Sequence, residues 1–369
     1  MLEKRKLALI LLVLVPGLWL RLQVFRIGYY TVTYGNTATH ISWADLFLRT
    51  GQFPLWEPSY GGKPSLYVPI YRLLLTAVAW LFQGDAIFAS NVITVASVVS
   101  PIGLLLVVKA ITGRFYQGLI AVLVSETSSQ LVIYTARPLP QFLGMTMLPI
   151  AVYLFLRGRY VATTITSLLI TMTHQETALV LVLVLSMYLL LIGILNLLKK
   201  PIWSRTNPCK RISVPSADWV ACLAATSLSI IFYLSWQGLI TGNLNIFTLA
   251  QFKFHEHSVV QWNHLIEIGI TCLVFGSTGA TIFYAREGVS RNGVFMASWL
   301  LVCLLAIKNE LFAPIAPSIF PIMCDRFLAY LAQVLSVFAA IGIFNIYKSL
   351  AHSARQLATS SYEIERSLL

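Results

Sequence analysis

Long apolar runs separated by short basic patches constrain this chain more than any other feature of its sequence. The runs at 87–108 and 178–198 contain no charged residue and are long enough to cross the hydrocarbon core of a bilayer as helices. Backbone groups in hydrocarbon have to be hydrogen-bonded within their own segment, so we interpret these runs as α-helices. The pattern therefore predicts an all-α fold, a polytopic transmembrane helix bundle.

The composition excludes a soluble globular domain, because 57% of the residues are apolar and only 11% are charged. Soluble domains have about 45–50% apolar and about 25% charged residues. The net charge of +12 comes from basic residues that lie between the apolar runs, as the positive-inside rule requires. Seventeen of the 26 basic residues fall on the predicted cytoplasmic side. We therefore expect the lipid bilayer, and no nucleic acid, as a partner.

The apolar runs and the basic patches together predict about ten membrane spans. Residues 1–348 then form one transmembrane domain with a long external loop at 23–86, and residues 349–369 form a cytoplasmic polar tail. The first run is interpreted as a retained signal anchor. Both termini are expected in the cytoplasm, and the membrane is a prokaryotic plasma membrane or a eukaryotic endoplasmic reticulum. The predicted spans are 7–22, 87–108, 116–135, 142–156, 160–173, 178–198, 218–239, 264–285, 294–307 and 327–347.

The apolar stretch 66–82 is short and contains Arg72. Counting it as a span would place every later basic patch outside the cell. We therefore predict an interfacial or re-entrant helix in which the Arg72 side chain extends to the headgroups.

The external loop carries most of the polar residues that chemistry would need. Its sequence predicts a helix from Thr37 to about Arg49 that ends at Gly51, followed by a loop rich in glycine, proline and aromatic residues. Loops of this length are usually functional or disordered, and the aromatic content argues against disorder.

Four short motifs stand out in the chain. They are Gly35-Asn36-x-x-x-His40, Gly51-Gln52-Phe53-Pro54-Leu55-Trp56-Glu57-Pro58, Arg137-Pro138-Leu139-Pro140-Gln141 and Asp325-Arg326-Phe327. They resemble motifs of the GT-C glycosyltransferases, in particular the catalytic subunit of oligosaccharyltransferase and its archaeal relatives. The resemblance covers most of the chain as topology and implies a GT-C-like fold, with no counterpart here of that subunit's soluble C-terminal domain. It also implies transfer of a sugar or oligosaccharide from a polyprenyl-phosphate-linked donor, on the extracytoplasmic face, to a protein, lipid or glycan acceptor.

Two amides stand where that family has acids. Asn36 takes the place of the first-loop aspartate, which acts as base or metal ligand, and Gln141 lies at the second acidic motif. An amide does not accept a proton at neutral pH and is a poor metal ligand beside a carboxylate. The resemblance therefore leaves a cofactor such as Mg or Mn unassigned. It also leaves open a catalytically inactive relative that binds lipid-linked sugar or assists another transferase, and a transporter or flippase.

Transfer from a lipid-phosphate sugar needs a base near the acceptor and cationic stabilisation of the leaving phosphate. Asp45 or His40 is the candidate for the base, with Glu57 as a further possibility. Arg326 and Arg137 are the candidates for the phosphate, because the guanidinium fork donates two parallel hydrogen bonds. Trp56 could stack on a sugar ring, although interfacial tryptophans need no such role.

Other polar residues have an ordinary structural explanation. His174 and Glu176 are expected to form the polar tip of a hairpin between two spans. The residues His255, Glu256 and His257 are expected to be solvated in a loop, since their spacing fits no established metal pattern. Glu126 lies within a span and is a functional hypothesis by default, or is solvated by the neighbouring Ser125, Thr127 and Ser128.

Overall fold

The computed structural model describes residues 2–27, 35–57, 63–65, 67–198, 216–242, 260, 262–312, 314–315 and 324–368. These residues form a helical bundle of fourteen α-helices with short 3-10 turns between some of them. A pair of two-residue antiparallel strands, β1 (Trp56–Glu57) and β2 (Lys63–Pro64), is added in the first loop. The helices are α1 (Leu2–Ile27), α2 (Gly35–Thr50), α3 (Pro69–Leu81), α4 (Ala86–Ala96), α5 (Ile102–Thr112), α6 (Phe115–Ser125), α7 (Ser129–Ala136), α8 (Pro140–Leu156), α9 (Tyr160–Thr171), α10 (Gln175–Leu197), α11 (Ser216–Thr241), α12 (Ile270–Glu287), α13 (Arg291–Ile307) and α14 (Phe327–Leu368).

Within the described ranges, five helical segments are long and apolar enough to cross a membrane. A sixth arises if α6 and α7, which meet at an angle of 81°, count as one broken span. Helices α3, α8, α9 and α13 are apolar but shorter. The prediction of a helical membrane bundle is therefore confirmed, whereas the count of ten spans is not decided by helix length and composition. The five segments are Glu3–Gln23, Ala86–Thr112, Gln175–Leu197, Ser216–Thr241 and Cys324–Gln356.

Helix α14 is the axis of the bundle, and its first half is buried almost completely. It packs most extensively against α12, where Gly276, Gly279 and Gly342 let the two backbones approach closely. A Cβ on Gly342 would lie 2.5 Å from the carbonyl oxygen of Phe275. Small residues at such a crossing allow helices to associate in a bilayer, where exclusion of water gives no driving force. The helix also continues to Leu368, through the stretch predicted as a polar tail.

A buried ion pair joins α1 to the break between α6 and α7. Arg21 donates to Glu126 at 2.9 Å, and the two side chains are only 1% and 5% exposed. Arg21 also donates to the hydroxyls of Ser97 and Thr135, each at 2.9 Å. The expectation that neighbouring hydroxyls solvate Glu126 is wrong for Ser125 and Thr127, because each donates to a backbone carbonyl one turn earlier.

A second buried network lies at the C-terminal end of α8. Asp218 on α11 accepts from Arg291 at 2.7 Å and 3.0 Å, and from the hydroxyls of Tyr160 and Tyr188 at 2.5 Å and 2.6 Å. Arg291 also donates to the carbonyl of Leu156 at the end of α8. Because both carboxylate oxygens are bonded, we interpret this network as a structural clamp.

The stretch 66–82 forms a helix of 13 residues, α3, whose length does not decide whether it spans. The prediction that Arg72 extends to the headgroups is wrong, because this side chain is 1% exposed and points into the bundle. Its donors are bonded to polar groups of the first loop and α2, which a position at the headgroups would not allow.

Candidate active site

Four parts of the chain bring polar side chains together at one end of the bundle. They are the first loop with α2 and α3, the connection between α7 and α8, the N-terminus of α10, and the start of α14. We call the group they form the polar cluster. Its members are His40, Arg72, Gln141, His174, Glu176, Thr177, Arg326 and Tyr330.

The first loop is fixed against α2 by backbone geometry and by one aromatic side chain. Helix α2 ends at Gly51, whose φ of +65° suits a residue without a side chain. The indole of Trp43 donates to the carbonyl of Pro54 at 2.8 Å and is buried. The predicted helix from Thr37 to Arg49 is therefore confirmed, and His40 faces inward from it.

Arg72 holds the imidazole of His40 in one orientation. Its Nε donates to His40 Nδ1 at 3.1 Å, and its guanidinium also bonds to Ser65. The rings of Trp43 and Tyr67 lie 5.3 Å and 5.1 Å from the guanidinium carbon. Burial lowers the pKa of Arg72 to about 9, which still leaves it cationic at neutral pH.

His40 is a neutral hydrogen-bond donor in this arrangement. Burial, and then the charge of Arg72, lower the pKa of His40 well below its usual value. Since Nδ1 accepts from Arg72, the proton is assigned to Nε2. Nε2 is buried and has no hydrogen-bond partner. It is therefore a donor placed in the site with no acceptor from the described residues.

His174 begins α10 and connects it to α14. Its Nδ1 accepts from the backbone N–H of Thr177 at 3.2 Å and lies 2.8 Å from the Thr177 hydroxyl. That hydroxyl lies 2.7 Å from the phenol of Tyr330. Burial, and then the charge of Arg326, lower the pKa of His174 to about 3. Gly144 allows this packing, because a Cβ there would lie 2.6 Å from the Thr177 hydroxyl.

Glu176 lies one residue before Thr177 and turns toward Arg326. The two side chains approach to 3.5 Å, and Glu176 is 12% exposed. Its Oε2 faces Arg326, while Oε1 is buried without a hydrogen-bond partner. His174 and Glu176 therefore lie at the turn between α9 and α10, as predicted, and in addition the N-terminus of α10 packs against the start of α14.

The remaining predicted site residues differ in their exposure and in the groups that they contact. Asp45 is on the outer face of α2, 39% exposed and 3.7 Å from Arg49. Trp56 is 58% exposed, and the guanidinium of Arg137 lies 5.4 Å from the ring of Tyr134. Gln141 is buried within hydrogen-bonding reach of Tyr330.

Three predictions concern residues that the structure describes only in part or not at all. The backbone of Asn36 belongs to the first turn of α2 and that of Glu57 to β1, but neither side chain is among the described groups. The segment His255, Glu256 and His257 lies outside the described residues.

One signal in the sequence could have found Glu176. Glu176 lies in the first turn of the long apolar helix α10, directly after the histidine N-cap. Ionisable residues in such apolar segments are functional candidates.

The described residues contain no group of three or more His, Cys, Asp or Glu side chains that could hold a metal ion. The divalent metal implied by the family resemblance therefore has no donor set there, and we derive no step through it.

Comparison with solved structures identifies the architecture. The chain superposes on archaeal oligosaccharyltransferase AglB from Archaeoglobus fulgidus, in complex with an inhibitory peptide and a dolichol-phosphate, with a TM-score of 0.65 and 12% identity. The chain has an oligosaccharyltransferase-like fold. The match covers 97% of this chain and 52% of that one, so this chain spans about half the length of the protein it matches.

Two further structures of the Archaeoglobus fulgidus oligosaccharyltransferase support the same fold. The apo form gives a TM-score of 0.61 at 12% identity, covering 96% of this chain and 52% of that one. The complex with Zn and sulfate gives 0.58 at 13% identity, covering 94% and 51%. No family model and no curated protein matches the sequence. At this identity the likeness shows an oligosaccharyltransferase-like, GT-C-like fold.

Proposed function

We propose that this chain is a membrane glycosyltransferase that moves a sugar or oligosaccharide from a polyprenyl-phosphate-linked donor to an acceptor on the extracytoplasmic face. One observation carries the proposal. In an oligosaccharyltransferase-like fold, a cationic Arg326 and unpartnered polar atoms of His40 and Glu176 converge at one end of the bundle.

The cluster supplies groups for a phosphate leaving group. The contact of Arg326 with Glu176 is long for a charge-assisted hydrogen bond and engages one of five N–H donors. A phosphate oxygen would make shorter contacts with this guanidinium and stabilise the charge that develops on the leaving group. The Nε2–H of His40 is a further donor for the phosphate or the sugar.

The fold neighbour supports the donor class. AglB has been solved with a dolichol-phosphate and an inhibitory peptide, and we infer a polyprenyl-phosphate donor for this chain from the likeness of the two folds. The lipid tail of such a donor would remain in the bilayer while its phosphate reaches the polar cluster.

We also propose the ten-span arrangement with both termini in the cytoplasm, because the basic patches fall on one side under that count. Single cysteines introduced at Thr50 and at Lys199 in a cysteine-free background test it. An impermeant thiol reagent applied to intact cells should label the first position and spare the second. The reverse labelling would contradict the arrangement.

Transfer from labelled polyprenyl-phosphate-linked and polyprenyl-pyrophosphate-linked sugars, in proteoliposomes containing the full chain, tests the function. Wild type should transfer label to an acceptor, and Arg326→Gln should raise the KM for donor at least about 10-fold through the loss of charged hydrogen bonds. Arg49→Gln is the matched control, because Arg49 is a 79% exposed arginine outside the cluster. Equal KM values for the two variants would remove Arg326 from the donor site.

An inactive relative that binds lipid-linked sugar is the second candidate, favoured by the amides at Asn36 and Gln141. It predicts donor binding that depends on Arg326 without any transfer. If the wild type neither binds the donor nor transfers its sugar, both candidates are contradicted.

A further inference from the structure

The base for the transfer step is the missing part of the polar cluster. Asp45 is turned outward toward Arg49, and Gln141 is an amide. The Nδ1 of His40 accepts a hydrogen bond from Arg72, so Nε2 carries the ring proton. A protonated ring nitrogen has no lone pair with which to accept another proton. Among the described residues, Glu176 and Asp325 are the carboxylates beside Arg326.

Of these two carboxylates, Glu176 is the one with a buried oxygen that has no hydrogen-bond partner. Its Oε2 faces Arg326 at 3.5 Å, and its Oε1 is the unpartnered atom. Buried carboxylate oxygens without a donor are uncommon in folded proteins; Glu126 Oε1 is another here, but only Glu176 lies in the polar cluster, where a ligand can bring the donor. An acceptor O–H is such a donor.

The position of Glu176 is fixed by three neighbours. Its helix begins at His174, which is bonded to Thr177, and Thr177 is bonded to Tyr330 on the same helix that follows Arg326. These contacts hold the backbone of the first turn of α10, and with it the base of the Glu176 side chain, next to the start of α14. Glu176 and Arg326 together supply the two kinds of group that the transfer needs, a base for the acceptor and a cation for the leaving phosphate.

We propose that Glu176 is the general base of this glycosyltransferase and that its acceptor carries a hydroxyl group. Glu176 Oε1 removes the proton from the acceptor O–H as that oxygen bonds to C1 of the donor sugar. The bond from C1 to the phosphate oxygen breaks, its electron pair stays on the phosphate, and Arg326 stabilises the charge. The proton then passes from Glu176 to water.

Among the described residues of the polar cluster, Glu176 is the one carboxylate with an unpartnered oxygen, and a single carboxylate of this kind favours a hydroxyl acceptor. The lone pair of a carboxamide nitrogen is delocalised into its carbonyl, so a single carboxylate does not make it a nucleophile. A hydroxyl oxygen needs only general-base assistance as it attacks. The assignment deepens the proposed function and depends on it.

The test uses the full chain in proteoliposomes with a labelled polyprenyl-phosphate-linked sugar and two acceptors, octyl glucoside and an asparagine-containing peptide. Glu176→Gln preserves size and polarity. It should lower kcat by about 10²–10⁴-fold and leave the KM for donor within about 2-fold. It should also abolish the fall in wild-type kcat toward acid pH. Glu3→Gln, at an 85% exposed carboxylate on the N-terminal turn of α1, should behave as wild type.

Each outcome decides the assignment. If Glu176→Gln transfers the sugar at the wild-type rate, the role of Glu176 is overturned and the proposed function stays in place. Transfer to the peptide alone overturns the hydroxyl acceptor, and no transfer by wild type overturns the proposed function together with the base. If Glu176→Gln does not fold, Glu176→Asp and the acid limb of the wild-type pH profile decide. A flat wild-type profile overturns the base.

Discussion

At the scale of single residues, the acid of the polar cluster comes from a place that the motifs do not mark. The resemblance directs attention to Asn36 and Gln141, which are amides, whereas the carboxylate of the polar cluster with an unpartnered oxygen is Glu176. A glutamate in the first turn of a long apolar helix has no sequence motif of its own. Its role is visible only after α10 has packed against α14.

The two histidines of the cluster predict a stability that depends on pH. Folding lowers the pKa of His40 well below 6.5 and that of His174 to about 3. The unfolded chain then binds protons more readily, so stability is complete above about pH 6.5 and is lost as the pH falls below it. Each histidine contributes a loss of about 1.4 kcal/mol per pH unit in this window.

His174→Asn should retain the helix cap, because asparagine is a good N-cap residue, and should reduce the pH dependence by about half. The measurement is the apparent melting temperature in detergent between pH 7.5 and 5. His352→Asn, at an exposed position on α14, is the control and should leave the slope unchanged. An equal slope for His174→Asn and wild type would contradict a buried neutral His174.

At the scale of helices, the contact between α12 and α14 depends on the absence of side chains. A Cβ on Gly279 would overlap the carbonyl oxygen of Phe338, so even alanine requires a shift of the helix backbones. We expect Gly279→Leu to abolish recovery of monodisperse protein, since overpacking of this size exceeds the usual cost of about 1–3 kcal/mol. Size-exclusion chromatography in detergent measures the effect.

Gly193→Ala is the matched control for that prediction. Gly193 is also a helical glycine, but a Cβ there meets no atom within 4 Å. The variant should fold as well as wild type or slightly better, because alanine has the higher helix propensity. Similar losses for both variants would show that general helix effects, and not the crossing, are responsible.

The pair Arg21–Glu126 connects α1 to the broken helix pair α6 and α7. Glu126→Gln or Arg21→Met should destabilise the protein by about 3–5 kcal/mol, because each leaves one charge buried without its partner. The double variant Arg21→Met, Glu126→Met should recover most of that loss. A double-mutant cycle on melting temperatures gives the coupling, and additive losses would show that the pair does not act as a unit.

At the scale of the whole molecule, the clamp around Asp218 ties four helices together at the end opposite the polar cluster. The carboxylate is fully buried and accepts from side chains on α9, α10 and α13. Asp218→Asn should cost about 3 kcal/mol, since Arg291 would keep its charge without a counter-ion.

The expected result is a loss of thermal stability. Thermal unfolding in detergent should show a lower melting temperature for Asp218→Asn, with transfer activity retained below it. The exposed pair Glu3–Lys6 offers the control, because Glu3→Gln should give no measurable shift. A normal melting temperature for Asp218→Asn would show that the clamp is not needed to hold the helices.

The sequence by itself determined that the chain lies in a lipid bilayer, which class of fold it has and in what order most helices follow. Apolar run length decides what can cross a bilayer, and backbone hydrogen bonding in hydrocarbon leaves the helix as the available form. The helix α2 and the first-loop resemblance were predictable, because each rests on local residue order. The candidate site residues His40 and Arg326 came from the same short motifs.

Only the tertiary structure decided which polar residues face one another. Arg72 with His40, Glu176 with Arg326, and Arg21 with Glu126 are separated by 32, 150 and 105 positions along the chain. Each pair is brought together by helix crossings, which depend on the shapes of whole surfaces and not on any local pattern. A charged residue in an apolar run therefore shows that a partner is needed, while the partner's identity depends on the packed bundle.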